Sequence, residues 1–173
     1  MNDFMKIFNA ETIGTIEALV GQAPQFALKD EQKLSIVSNI IPPIVLVGID
    51  VANHPEAKAL LTLTPNAVAY LSDMMLGEED SSREEITEDD LDAAKEMVSN
   101  IFGAINTTLL AQKDIEKISF SISKVEHIME NGDLSLEDYS TMFAYNFSLG
   151  SMKSLLSFIV NESLEELLSG KKA

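Results

Sequence analysis

Residues 85–110 read EITEDDLDAAKEMVSNIFGAINTTLL and decide the fold, because they predict one long amphipathic helix. Thr87 is a typical N-cap residue with Asp90 three positions later, and acidic residues fill the first turn, where the helix dipole favours negative charge. At about 100° per residue, the apolar side chains share one side. They are Ala94, Met97, Val98, Ile101, Phe102, Ile105 and Leu109. That side is predicted to face the core.

The opposite side of this helix carries a polar stripe. Its members are Asp92, Glu96, Ser99, Asn100, Gly103 and Thr107. A glycine inside a helix costs about 1 kcal/mol relative to alanine, so Gly103 needs a reason such as the close approach of another backbone. On pattern alone, the simpler interpretation is a solvated face whose small residues accommodate a neighbouring helix.

The rest of the chain supplies further helices and strands in a definite order. A helix is predicted over 3–20, ending at Gly21, and a charged, solvated loop over 77–85. Strands are predicted within 34–50, 57–64, 116–128, 139–150 and 151–160, and shorter helices within 65–76 and from 161 onward. This order predicts an α+β fold with a largely antiparallel sheet. We expect the two long helices to pack on one face and to be related by a pseudo-two-fold axis.

Composition restricts the class of protein. The 173 residues, 46% of them hydrophobic, suit a single domain spanning 1–173, and the net charge of -16 disfavours nucleic acid and favours partners with basic surfaces. There is no cysteine and no secretory signal, so a cytoplasmic location is predicted. Because Pro42 and Pro43 interrupt the most apolar run, no membrane span is expected. The two histidines, His54 and His127, lie far apart and predict no metal site.

Residues 91–110 resemble the active-site helix of the CheC, CheX and FliY family, which comprises chemotaxis phosphatases and flagellar motor switch proteins. The family pattern is Asp or Ser, three residues, Glu, two residues, Asn. Asp92 and Glu96 match it, but Ser99 occupies the third position and Asn100 follows one place later. Residues 66–90 resemble the family's short helix, acidic loop and entry to the second long helix. The resemblance implies the family's pseudo-duplicated α+β fold and is strongest to the CheC-like domain of FliY.

The resemblance also implies roles for the polar stripe. Glu96 is expected to provide the carboxylate that binds a lysine of the phosphorylated response regulator CheY. Asn100, or with less support Ser99, is expected to orient the attacking water. Asp92, Glu96 and Gly103 are the expected partner-binding residues. The domain is expected to have no cofactor of its own, because the response regulator brings the magnesium ion.

Some family members carry a second copy of the motif on the first long helix. Here that helix offers Asp3 with Lys6 or, in another register, Glu11 with Gly14. Neither pair keeps a carboxylate with an amide, which predicts that the first site is lost. Solvation of an exposed helix is sufficient to explain Glu11.

Two functions from different classes follow from the resemblance. The domain is either a phosphatase, a hydrolase acting on phosphorylated CheY through one degenerate site, or a catalytically inactive structural module that holds other flagellar switch proteins. Both place it at the switch of the flagellar basal body. Related FliY proteins carry a FliN-like carboxy-terminal domain, for which 173 residues leave no room. The chain is therefore expected to be either a fragment of such a protein or a stand-alone relative.

Overall fold

The computed structural model describes residues 2–33, 40–78, 83, 85–112, 118–130, 132 and 134–169. Its helices are α1 (Asn2–Val20), α2 (Pro65–Met75), α3 (Glu88–Ala111) and α4 (Glu162–Leu168). Its strands are β1 (Gln25–Lys33), β2 (Ile44–Val51), β3 (Lys58–Leu63), β4 (Phe120–Ile128), β5 (Thr141–Leu149) and β6 (Met152–Val160). None of the described helices is long and apolar enough to cross a membrane.

The six strands form one antiparallel sheet in the order β1-β5-β6-β3-β2-β4. Exchanging β1, β2 and β3 with β4, β5 and β6 reproduces this order in reverse. Leu61 pairs with Phe158 at the centre, and the register skips one residue in each edge strand, Lys29 in β1 and Ser123 in β4. Because both bulges occupy equivalent places, the predicted pseudo-two-fold arrangement is confirmed without a visible sequence repeat.

The three longer helices pack on one face of the sheet. Phe8 of α1 lies 4.8 Å from Phe158 and 6.2 Å from Phe102 of α3, measured between ring centroids. The whole predicted apolar side of α3 is buried in this core, together with alternate residues of the central strands. The prediction that both long helices share one face is therefore confirmed. A smaller apolar cluster on the opposite face includes Leu46, Leu60, Met142 and Ile159, with Leu136 packed among them.

Strand β1 was not predicted, and its residues show why. In QFALKDEQK only Phe26 is buried, and the other side chains are exposed or partly exposed. An edge strand contacts a neighbour on one side only, so it needs few apolar residues and shows no clear alternation. Strand β2 begins at Ile44, inside the predicted range 34–50 but well after its start. Residues 34–39 of that range lie outside the described residues. Residues 116–117 of the predicted strand 116–128 and residues 170–173 at the end of the chain also lie outside the described residues.

Candidate functional site

The polar stripe lies on the solvent side of α3, with all six members exposed. Asp92, Glu96 and Asn100 follow one another at intervals of four residues and therefore share one helix face. Within the described chain, no side-chain hydrogen bond engages Asp92, Glu96, Ser99 or Asn100, whereas the Thr107 hydroxyl donates to the Gly103 carbonyl at 3.1 Å. The carboxylates and the amide are thus available to another molecule.

The polar stripe is an exposed helix face. Three clefts on the described part of the molecule are lined by other residues. No three His, Cys, Asp or Glu side chains of the described residues converge as a metal-ligand group. A surface of this kind suits contact with another folded protein better than enclosure of a small molecule.

Helix α3 is regular from Glu88 to Ala111, and this fixes the relation between Ser99 and Asn100. A local π-bulge would have rotated Asn100 toward the position of Ser99, but every residue in this span is α-helical. Asn100 therefore lies about 100° around the helix from Ser99. Both residues remain one turn from Glu96, at three and four positions along the chain.

Gly103 has no close neighbour within the described chain. A Cβ atom built there would meet no heavy atom within 4 Å. The sequence-based explanation, in which another part of the chain approaches Gly103, is therefore wrong for the described residues. Either a separate molecule approaches this glycine, or its energetic cost of about 1 kcal/mol stays without a steric reason.

The N-terminus of α3 is anchored by two kinds of contact. Thr87 caps the helix as predicted: the Asp90 N–H donates to its hydroxyl oxygen at 3.4 Å, and the Thr87 N–H donates to the Asp90 carboxylate at 2.8 Å. Arg83 donates two hydrogen bonds to Asp90, both of 3.0 Å, and two to Asp73 of α2, of 2.8 and 3.0 Å. These bonds tie the end of α2 to the start of α3 and so hold the polar stripe in place.

Arg83 has a structural role that the sequence did not predict. The described residues of the predicted solvated loop, 77, 78, 83 and 85, are exposed as expected, and residues 79–82 and 84 of that loop lie outside the described residues. The Arg83 guanidinium nevertheless bridges two carboxylates that are only 9% and 5% exposed. Hydrogen bonding to Arg83 holds the pKa of Asp90 well below its usual range, with help from the Thr87 N–H and against the opposing effect of burial. The available signal was a single arginine among acidic residues, with Asp73 and Asp90 on either side in the sequence.

Asn106 is a second residue that sequence analysis missed. Its amide group donates to the Phe120 carbonyl at 3.0 Å and accepts from the Phe120 N–H at 2.8 Å. This pair of bonds satisfies the backbone groups of Phe120 at the start of edge strand β4 and fastens α3 to that edge. No sequence motif marks such a contact, because its partner lies 14 residues further along the chain.

Helix α1 does not repeat the polar stripe. Glu11 is partly buried and accepts a hydrogen bond of 3.2 Å from the Thr108 hydroxyl of α3, so the prediction that solvation alone explains it is wrong. Asp3, Lys6 and Gly14 are exposed. Among the side chains described on α1, no exposed carboxylate has an exposed amide one turn away. The loss of the first site stays a prediction.

Comparison with solved structures shows the fold. No protein-family model matches the sequence, and no curated protein sequence matches it significantly. FliY from Thermotoga maritima superposes with a TM-score of 0.76 at 20% identity, covering 96% of this chain and 94% of that one. A chain of the FliG–FliM complex from H. pylori gives 0.71 at 10% identity, with 93% and 94% covered. A CheC-like superfamily protein from Shewanella sp. PV-4 gives 0.61 at 17% identity, with 92% and 97% covered. The chain has the fold of these proteins, and the predicted fold class is confirmed.

Proposed function

We propose that this chain is a chemotaxis and flagellar-switch domain that docks a phosphorylated CheY-type response regulator on its polar stripe. The observation that carries the proposal is the combination of a fold shared with FliY and CheC-like proteins and an exposed Glu96 and Asn100 without partners in the described chain. The net charge of -16 favours a partner with a basic contact surface. The proposed location is the cytoplasmic side of the flagellar basal body.

Hydrolysis of an aspartyl phosphate requires few functional groups from the docking protein. It needs an in-line water and stabilisation of charge. A carboxamide such as that of Asn100 holds water by donating one hydrogen bond and accepting another. Glu96 binds a lysine of the regulator, and the regulator's own magnesium ion neutralises the phosphoryl oxygens. In this proposal Asn100 is the catalytic residue and Glu96 the main docking residue.

Catalysis is weaker than docking in this proposal. Ser99 occupies the position where the resemblance places asparagine, and its hydroxyl is shorter than a carboxamide. The regular helix keeps Asn100 about 100° away from that position. A displacement of about 1 Å at a reacting group can lower a rate on the order of a hundredfold. Binding, which spreads over many contacts, tolerates such a displacement better.

A structural role is the second candidate, and the likeness to the FliG–FliM complex favours it. In that case the chain holds other flagellar switch proteins without hydrolysing a phosphate. The serine at position 99 agrees with this role as well as with slow catalysis. The two candidates differ in a measurable property, the rate of phosphate loss from the regulator.

The deciding experiment measures phosphate loss from phosphorylated CheY of the same organism, with and without this chain, beside a binding assay with the same regulator. Glu96→Ala should weaken binding, Asn100→Ala should remove most residual activity, and Ser99→Asn should raise the rate. Glu31→Ala, an exposed glutamate on edge strand β1, is the matched control. Binding without faster hydrolysis supports the structural role. Neither binding nor hydrolysis, in the wild type and in Ser99→Asn, refutes the proposal.

A further inference from the structure

The C-terminal ends of α1 and α2 open onto one cleft of about 540 Å³. Residues 20–22 form one side of it, and residues 77–78 form the other. Tyr70 and Met74 of α2 complete the wall. No member of the polar stripe lines this cleft, so it is separate from the surface to which the proposed function is assigned.

Both helices end with a glycine in the left-handed conformation. Gly21 has a φ of 81°, and its N–H donates to the Glu17 carbonyl at 2.8 Å. Gly77 has a φ of 85°, and the N–H groups of Gly77 and Glu78 donate to the carbonyls of Met74 and Asp73, both at 3.0 Å. The two bonds at the end of α2 form a Schellman motif, and the single bond at the end of α1 is the simpler αL motif. In both cases the chain turns away sharply after the last helical turn. A Cβ on either glycine would meet no heavy atom within 4 Å, so the cleft is open on both sides.

The cleft is electrostatically negative. The last carbonyl groups of a helix carry a partial charge of about -0.5 elementary charges, and neither α1 nor α2 has a basic residue in its last turn. Glu78 adds a full negative charge at the end of α2, where the dipole disfavours one. No lysine or arginine is among the residues described as lining the cleft. Two helix ends and a carboxylate therefore converge, and none of the described residues that line the cleft is a cation that could balance them.

We propose that this cleft binds the cationic side chain of an arginine or lysine from a partner protein. The charged group bonds with Glu78 and with helix-end carbonyls, and the aliphatic stem packs against Met74 and Tyr70. Arginine fits best, because its planar group donates in several directions at once. Leu76 beside the cleft is 77% exposed and offers an apolar contact to a neighbouring partner residue.

The test is an NMR titration of the full chain with the peptide acetyl-Ala-Arg-Ala-amide. A peptide with citrulline in place of arginine keeps the shape and removes the charge. We expect the arginine peptide to shift the amide signals of Gly21, Gly77 and Glu78 with a saturable curve. Glu78→Gln should weaken this binding by about threefold, the effect of removing one exposed charge pair. Glu31→Gln removes the same charge elsewhere and should leave binding unchanged.

Several outcomes overturn the assignment. They are the absence of saturable shifts, equal binding of the citrulline peptide, and a Glu78→Gln variant that binds as well as the wild type. Calcium chloride that produces the same saturable shifts and displaces the peptide would identify a metal-ion site instead. Glu96→Ala should not affect the titration, so this result is independent of whether the polar stripe docks a response regulator.

Discussion

At the scale of single residues, Arg83 shows how one side chain positions the candidate site. It neutralises two nearly buried carboxylates, Asp73 and Asp90, each through two hydrogen bonds. Buried charges are tolerated when they are paired, and removing one partner leaves an uncompensated charge. Because Asp90 also completes the cap of α3 with Thr87, the same contact stabilises the first turn below the polar stripe.

The lowered pKa of Asp90 makes this contribution depend on pH. An acid whose pKa is lower in the folded state stabilises the fold above its ordinary value, here 3.8, and loses that contribution as pH falls toward the folded-state pKa. We expect Asp90→Asn to lower the free energy of unfolding at neutral pH by about 2 kcal/mol. The deficit should be constant down to about pH 5 and should narrow below about pH 4. Urea unfolding across this range measures it, and a deficit that widens with acid would contradict the assignment.

At the scale of helices and strands, the contact of Asn106 with Phe120 joins α3 to edge strand β4. Asn106→Ala leaves a buried N–H and carbonyl without partners, which should cost about 1–2 kcal/mol. We expect hydrogen exchange at the Phe120 amide to become faster, while the neighbouring exposed Thr107→Ala leaves it unchanged. Exchange that stays equally slow in Asn106→Ala would show that other contacts hold this edge.

Alanine substitutions at the two exposed helical glycines, Gly103 and Gly14, can distinguish an effect on stability from an effect on docking. A Cβ on Gly103 of α3 or on Gly14 of α1 would meet nothing within 4 Å, so alanine at either position should stabilise the fold by about 0.5–1 kcal/mol. Gly103→Ala should also weaken binding of the phosphorylated regulator, because the added methyl group stands where a partner approaches. Gly14→Ala is the matched control and should bind normally. Equal binding by both variants would remove Gly103 from the docking surface.

The elements differ in how far the sequence predicts them, because some depend on residues close together in the sequence and others on residues far apart. The cap and the buried side of α3 depend on residues a few positions apart, so Thr87, Asp90 and the apolar spacing were sufficient to predict them. Strand β1 depends on a neighbour far along the chain and carries few buried residues. The contacts of Arg83 and Asn106 likewise arise from tertiary structure, which no local pattern records. The exposure of Glu96 and Asn100 was predictable from the helical spacing and is confirmed, whereas their binding of a partner stays a prediction.

At the scale of the whole molecule, the fold is nearly symmetric while its surface is not. The sheet order, the central strand pair and the two edge bulges repeat across the pseudo-two-fold axis. The outer sides of the two long helices differ: α3 exposes Glu96 and Asn100, whereas α1 exposes Asp3 and Lys6. Glu11 is occupied by a contact with Thr108. Among the described side chains, α3 presents an exposed carboxylate and an exposed amide on neighbouring turns, and α1 presents no such pair.

This asymmetry predicts the stoichiometry of the proposed complex. If docking needs a carboxylate and an amide on neighbouring turns, one regulator binds per chain, at α3. Isothermal titration with a regulator held in its phosphorylated form should give a one-to-one complex. Glu96→Ala on α3 should weaken the complex, and Lys6→Ala on the equivalent side of α1 should not. Two regulators per chain, or binding that depends on Lys6 and survives Glu96→Ala, would show that α1 has kept a docking surface of different chemistry.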